Sequence, residues 1–284
     1  MFRRLAVVGL GLLGGSLCRA VKEKDGSVSV TAFTRDTKRL SGALSEGIVD
    51  LALPVEELTP EGFELMVIAS PVLSSMESLK ILLDHPKLGG CLLSDVGSVK
   101  APLVALAEAN PNGARFVGCH PMAGSEKSGY EHSSGTLYRG ASVIITPGKN
   151  NSETDIQTME RFWASLGADT VRCDAEEHDR LVAVTSHVPH LAACALADLA
   201  AEASAGGRLT PFIGSGFRDL TRIAMGSPDM WTDIEAANAE NIVRAIDALS
   251  AKLGHIRRFI AEGRHETEGR AFLERAGSFR RSVG

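Results

Sequence analysis

Two stretches of this chain carry residue types suited to acid–base and anion chemistry. Gly118-Cys-His-Pro-Met-Ala-Gly-Ser-Glu-Lys-Ser-Gly-Tyr130 sets His120 in a small-residue, proline-anchored loop with Glu126 and Lys127 close behind. The unperturbed pKa of histidine lies nearest neutrality, so His120 is a candidate general base, although a lone loop histidine is more often structural. Gly214-Ser-Gly-Phe-Arg218-Asp-Leu-Thr-Arg222 sets two guanidiniums four residues apart, on one helical face beside a glycine-rich approach. Paired guanidiniums grip carboxylates in bidentate fashion and suit a dicarboxylate; a solvated face with Arg218 beside Asp219 is the plainer alternative. A third cluster, His178 through His190, holds His178, His187 and His190. None of its pairs has i,i+4 spacing and no acidic ligand is suitably interleaved, so no metal is expected. Pro189 cannot donate to the carbonyl of Thr185, which predicts a kink aiming Ser186 and His190 into a cleft. Trp231, in Pro228-Asp-Met-Trp231, reads as a core residue.

The elements that must position these groups begin with Leu5-Ala-Val-Val-Gly9, a short apolar run typical of a buried parallel strand. It leads directly into Gly9-Leu10-Gly11-Leu12-Leu13-Gly14 and an amphipathic Leu13–Lys24 helix. At a strand-to-helix junction, Gly9 permits the tight turn and Gly11 lets backbone approach a pyrophosphate. Gly14 packs helix on strand, so a dinucleotide is expected on the helix N-terminus. The second strand, Ser27–Phe33, ends in Thr34-Arg35-Asp36. A small hydroxyl followed by an arginine, where NAD-type folds carry an acidic residue, favours NADP, with NAD possible if Asp36 takes that place. Glu64–Ser70 and Cys91–Asp95 read as further strands with a Ser74–Leu83 helix between them, which makes a doubly wound sheet. Ligands bind such sheets at the carboxyl edge, where Ser70-Pro71 and Asp95-Val-Gly-Ser98-Val-Lys100 lie. Ser98 is expected to cap the next helix and to stand beside the nicotinamide. Phe116–Cys119 delivers His120 to the same edge. Ala141–Thr146 and Thr170–Cys173 read as later strands, and Lys149–Asp155 as a linker beyond which the first helix still packs on the nucleotide half. The expected organisation is a Rossmann-type NAD(P)-binding domain over 1–150, extending to about 173, then an all-helical domain over 174–284. The latter should hold four or more helices broken at Ala205–Gly207, Gly214–Gly216 and Ser227-Pro228.

Composition narrows the function classes. With 284 residues, 44% hydrophobic and 23% charged, the chain buries a large core, and a formal charge of −5 provides no basic field for nucleic acid or an anionic membrane. Five scattered cysteines without CxxC spacing favour neither disulfides nor a thiolate metal site and fit a reducing cytoplasm. No signal-peptide pattern and no stretch of 18 or more apolar residues is found, so neither export nor a membrane span is expected.

Several pieces together resemble the prephenate/arogenate dehydrogenase family of tyrosine biosynthesis. They are Gly9–Ser16, Asp95-Val-Gly-Ser-Val-Lys100, His120-Pro-Met-Ala-Gly-Ser-Glu-Lys-Ser-Gly129, His178-Asp through Ser186-His-Val-Pro-His190, and Gly216-Phe-Arg-Asp-Leu-Thr-Arg-Ile-Ala224, in family order. The resemblance implies a nucleotide domain followed by a helical domain that forms a homodimer, with the active site between them. By that resemblance His120 takes the proton of the substrate's C4 hydroxyl, Ser98 steadies His120, and Arg222 binds a carboxylate. His190, Ser186 and His178 look like further substrate contacts, Glu126 orients the site, and Arg218 and Trp231 reach across from the partner. The implied cofactor contacts are Gly9, Gly11, Leu12, Leu13, Gly14, Thr34, Arg35, Ser70, Pro71 and Ser98. The reaction is hydride transfer to NAD(P) with loss of CO₂, without a metal; prephenate is favoured slightly over arogenate by Glu126-Lys127. A monofunctional enzyme is expected, without a mutase or regulatory segment. The rivals are a dehydrogenase of the 3-hydroxyacid type, which would need a catalytic lysine in the helical half, and a non-catalytic NADP sensor.

Overall fold

Short runs of Val, Ile, Leu and Ala alternate with helices through the first 172 residues. In the computed structural model, which describes residues 2–35, 40–204 and 207–283, these runs form one eight-stranded sheet. The strands are β1 (Arg4–Val8), β2 (Ser29–Thr34), β3 (Leu51–Pro54), β4 (Leu65–Ile68), β5 (Leu92–Asp95), β6 (Phe116–Pro121), β7 (Ser142–Thr146) and β8 (Asp169–Arg172). Their order is β3-β2-β1-β4-β5-β6-β7-β8, and every pair is parallel except β6 with β7. The order reverses between β1 and β4, which opens a crevice at their carboxyl ends. Side chains alternate faces along a strand, so Leu5 and Val7 join one core with Leu17, Val30 and Trp163. Ala6 and Val8 join the other, with Phe33, Ile68 and Leu103.

Five helices cover the sheet: α1 (Leu12–Lys24), α2 (Ser41–Ser45), α3 (Val72–Leu83), α4 (Ala101–Glu108) and α5 (Glu153–Ser165). Ser152 caps α5 by accepting from the N–H of Asp155, and Ile156, Met159, Phe162 and Trp163 pack into the first core, so the helix beyond the linker does join the sheet. Among the described residues six further helices follow: α6 (Ala175–Val182), α7 (Val188–Ala203), α8 (Ser215–Thr221), α9 (Pro228–Ala237), α10 (Ala239–Ala261) and α11 (Arg270–Ser282). The kink expected at Pro189 takes the form of a π-helical turn, Ala183–His187, just upstream of it. A widened turn accommodates the carbonyl that proline leaves without a donor. Among the described residues, the run Ala175–Ala203 is long and apolar enough to cross a membrane by length and composition alone, with mean hydropathy 1.2. It nevertheless carries the buried polar pair His178 and Asp179, both bonded to the sheet domain.

The structure divides into two compact units, Met1–Ala239 and Glu240–Gly284. Ile234 of α9 belongs to the core on the α3 side of the sheet, so α6 to α9 share the unit of the sheet. The second unit is a helical pair in which His255 and Phe259 of α10 meet Phe272 of α11. It exposes Val243, Ile246, Leu253, Ile260, Leu273 and Phe279.

Candidate active site

The glycine loop follows β1 as its spacing demands. Gly9 has φ +97°, and a Cβ there would lie 2.8 Å from the carbonyl oxygen of Ala69 at the end of β4. A Cβ on Gly14 would overlap the carbonyl oxygen of Gly9 and sit 3.1 Å from Ala69 Cβ and Val7 Cγ1. Gly11, by contrast, has no atom within 4 Å of such a position, which leaves space in front of the helix. Leu12 and Leu13 open α1, whose N-terminus has neither a side-chain cap nor an acidic residue in its first turn. These features fit a dinucleotide pyrophosphate. Across the crevice, Ser70 Oγ lies 2.9 Å from Ser75 Oγ, and Pro71 is the N-cap of α3. Thr34 ends β2 and Arg35 is exposed immediately after it, whereas Asp36 lies outside the described residues.

His120 lies within a strand. It stands next to the end of β6, opposite Ile144 of β7, because the β6–β7 pairing runs on to Pro121. The residue is 9% exposed, and Nδ1 lies 2.8 Å from Nε2 of His178 on α6. His178 Nδ1 lies 2.7 Å from Asp179 Oδ1. The Asp179 carboxylate also accepts the N–H of Lys100 (2.7 Å) and of Ala101 (2.8 Å) at the start of α4. Asp179, not Ser98, therefore caps that helix: Ser98 is two residues upstream of Lys100, the N-cap, and no local side-chain cap bond is made. The cap of Asp179 comes from 79 residues away. Lys100 Nζ pairs with Asp95 and donates to the carbonyl of Cys119 (2.9 Å), while Asp95 Oδ1 accepts the N–H of Cys119 (3.1 Å). Backbone and side chain of the residues around His120 are thus held by one closed polar ring. Burial, followed by the charges of His178, Lys100 and His187, holds the His120 pKa well below the ordinary histidine value, so the ring is neutral near pH 7.

Glu126, in the loop after β6, pairs with Arg222 at 2.7 Å, which brings these two expected residues together. A backbone hydrogen bond and then the Arg222 guanidinium hold the Glu126 carboxyl below its usual range. Arg218 lies within α8, and Arg222 is both the C-cap of that helix and the first residue of the 3₁₀ turn that follows. Trp231 stacks on His190 of its own chain, ring centroids 3.5 Å apart at 10°. Gly226 allows this, since a Cβ there would lie 2.5 Å from Trp231 Nε1. Burial lowers the His190 pKa. Ser186 lies in the π turn; among the described residues Ser98, Ser186 and Arg218 make no side-chain hydrogen bond. His178 is 2% exposed and has both ring nitrogens engaged by protein, which removes it from the substrate contacts expected of it. Among the described residues no His, Cys, Asp and Glu group is placed to hold a metal ion.

The sequence reading missed Asp95, Lys100, Asp179, His187 and Asn238 as members of the site. Asn238 donates to the carbonyl of Asp179 (2.8 Å) and lies 3.2 Å from His187 Nδ1. The available signal was an aspartate and a lysine bracketing a strand-to-helix turn in otherwise apolar surroundings, since fully buried charges occur only when paired.

Comparison with known proteins follows the same division of the chain. Residues 17–172 match the family model described as prephenate dehydrogenase, nucleotide-binding domain, and residues 174–274 the one described as prephenate dehydrogenase, dimerization domain. The chain is 31% identical over 263 residues to the prephenate dehydrogenase of Bacillus subtilis, covering 91% of this chain and 70% of that one. It is 28% identical over 268 residues to the cyclohexadienyl dehydrogenase of Zymomonas mobilis, covering 92% and 89%. The crystal structure of Aquifex aeolicus prephenate dehydrogenase with hydroxyphenyl propionate and NAD+ superposes with TM-score 0.91 at 31% identity, over 100% of this chain and 99% of the other.

Proposed function

The chain belongs to the prephenate dehydrogenase family, and from that premise we propose that it oxidatively decarboxylates prephenate to 4-hydroxyphenylpyruvate. The observation that carries the reading is His120: a buried, neutral imidazole tied at Nδ1, with Nε2 left for a ligand at the carboxyl edge of the sheet. A neutral imidazole accepts a proton, whereas an imidazolium cannot. His120 Nε2 takes the proton of the C4 hydroxyl as the C4 carbonyl forms, and departure of the ring carboxylate as CO₂ restores aromaticity. A bound nicotinamide dinucleotide supplies the hydride acceptor. Gly9, Gly11, Leu12, Leu13 and Gly14 would hold its pyrophosphate, Ser70 and Pro71 would flank it, and Ser98 would stand beside the nicotinamide. Thr34 at the end of β2 with exposed Arg35 behind it suits a 2′-phosphate, which makes NADP the preferred cofactor.

Arg222 would bind the side-chain carboxylate, with Glu126 setting its position before substrate arrives and His190, Ser186 and Arg218 completing the site. The helical part from about residue 174 would serve dimerisation, its outward apolar residues Leu199, Phe212 and Leu220 meeting the same face of a second copy. A cytoplasmic location fits the five cysteines, none of which is in a disulfide.

The test is to mix purified protein with prephenate or arogenate, each with NADP or NAD, and follow reduced nicotinamide. Prephenate with NADP is expected to give the highest kcat/KM. No signal in any of the four mixtures would refute the enzyme assignment, and preference for arogenate would move the reaction to tyrosine formation. His120→Asn is expected to abolish turnover with cofactor binding intact, and Arg222→Ala to raise the substrate KM.

A further inference from the structure

We propose that His178 and Asp179 are positioning residues that set the tautomer of His120, and so determine that its base is Nε2. The inference rests on His120 being the base. Both oxygens of Asp179 receive backbone N–H groups, from Lys100 and Ala101, so at 2.7 Å the carboxylate accepts the Nδ1–H of His178 as well. A neutral imidazole carries one N–H, which makes His178 Nε2 an acceptor. At 2.8 Å from that acceptor, His120 Nδ1 must donate. The lone pair of His120 then lies on Nε2.

The rings cross edge to face, centroids 5.1 Å apart and 75° between planes, which aims one nitrogen of each at the other. Asn238 holds the carbonyl of Asp179, so the far end of the relay is fixed through α9 too. When the C4 hydroxyl gives up its proton, the O–H bond breaks and an Nε2–H bond forms. The resulting His120 imidazolium keeps its Nδ1–H on His178, with the Asp179 carboxylate behind it. The arrangement performs the task of the aspartate in a serine-protease triad, with an imidazole interposed.

The full-length protein, labelled with ¹⁵N in its histidine rings and free of ligand, reports the tautomer directly in long-range ¹H–¹⁵N correlation spectra at pH 8. His120 is assigned from the signal lost in His120→Asn. The expected result is a protonated Nδ1 and an unprotonated Nε2; the opposite tautomer overturns the proposal whatever the activity. Because Asp179 also caps α4, His178→Gln and His178→Leu provide a second test. Glutamine presents Oε1 where Nε2 stood and should hold kcat within about tenfold, whereas leucine, which accepts nothing, should lose about 10²–10³-fold. Equal turnover in these two variants overturns the proposal. A fully active His120→Asn would overturn the base assignment instead, a result separate from the tautomer measured in the spectrum.

Discussion

Replacing Lys100 by methionine tests the polar ring most directly. Lys100 and Asp95 are both fully buried, and Lys100 Nζ meets the Asp95 carboxylate and the Cys119 carbonyl. At roughly 3 Å and an effective dielectric of about 20 the attraction is about 5 kcal/mol before desolvation. In Lys100→Met the carboxylate stays buried with only the N–H groups of Gly97 (2.9 Å) and Cys119 (3.1 Å) as partners. Leaving one buried charge unpaired costs about 3–5 kcal/mol, a large share of the roughly 5–15 kcal/mol that holds a domain folded. The double variant Asp95→Asn/Lys100→Met removes both charges and keeps an amide oxygen for the Cys119 N–H. It should recover all but about 1–2 kcal/mol. Urea midpoints at one fixed protein concentration measure both, since a dimer's apparent stability depends on concentration. A loss below about 1 kcal/mol in the single variant, or a double variant no more stable than the single, would refute the reasoning. Turnover should fall in the single variant as well, because the released Cys119 carbonyl precedes His120 in β6.

Gly11→Ala should leave the thermal midpoint unchanged and weaken dinucleotide binding, because its Cβ enters open space; Gly14→Ala should cost about 1–3 kcal/mol by overpacking against Gly9 and Val7. Calorimetry and cofactor titration on the two variants separate those outcomes, and equal melting of both would contradict the packing. Glu126→Gln frees an Arg222 guanidinium that is 55% exposed, so the unfolding midpoint should not move. The KM for prephenate should rise about three- to tenfold with kcat nearly constant, because Arg222 is no longer held in place, and a collapse of kcat at constant KM would count against the placement of Arg222. Burial lowers the His187 pKa from 6.5 to about 4. The unfolded chain therefore binds the extra proton in that window, and stability present above pH 6.5 is lost as pH falls toward 4, by about 3 kcal/mol from this group. The loss in urea midpoint between pH 7 and pH 4.5 should be smaller in His187→Gln than in the native chain; identical losses would mean that His187 is not the group responsible.

What the sequence disclosed was what is local. Gly9, Gly11 and Gly14 sit within six residues of one another, and their steric roles follow from that spacing alone. The strands β1, β4 and β5 were legible as apolar runs because both faces of the sheet are covered. β3, four residues ending in Pro54 at the sheet edge, has too little pattern to be read. The π turn at Ala183–His187 left only Pro189 as its trace. The partner of His120 was hidden for a different reason. Spacing arguments detect side chains three or four residues apart on a helix, but His178 lies 58 residues from His120 on another element. The same limit made Ser98 look like the cap of α4, because capping rules search the adjacent residues, and Asp179 arrives from 79 residues away.

The buried ion pair makes sense at the point where β5 and β6 part. Their ladder pairs only Leu93 with Phe116 and Ser94 with Val117, after which β6 turns its pairing to β7. The separation opens the carboxyl edge beside His120, and it deprives the Cys119 peptide of a β5 backbone partner. Asp95 accepts that N–H, and Lys100 donates to that carbonyl, so two side chains continue the ladder where the main chain cannot. A carboxylate alone would leave a buried charge and a lysine alone would leave an orphan amide; only the pair satisfies both ends of Cys119. The backbone of Lys100, held by Asp179, then ties this junction to α6 and to His178. Register of the base-bearing strand and tautomer of the base are thereby fixed by one set of bonds. A variant that weakens the junction should show both faults together, misplaced β6 and a mixed His120 tautomer, in the same ¹⁵N spectrum.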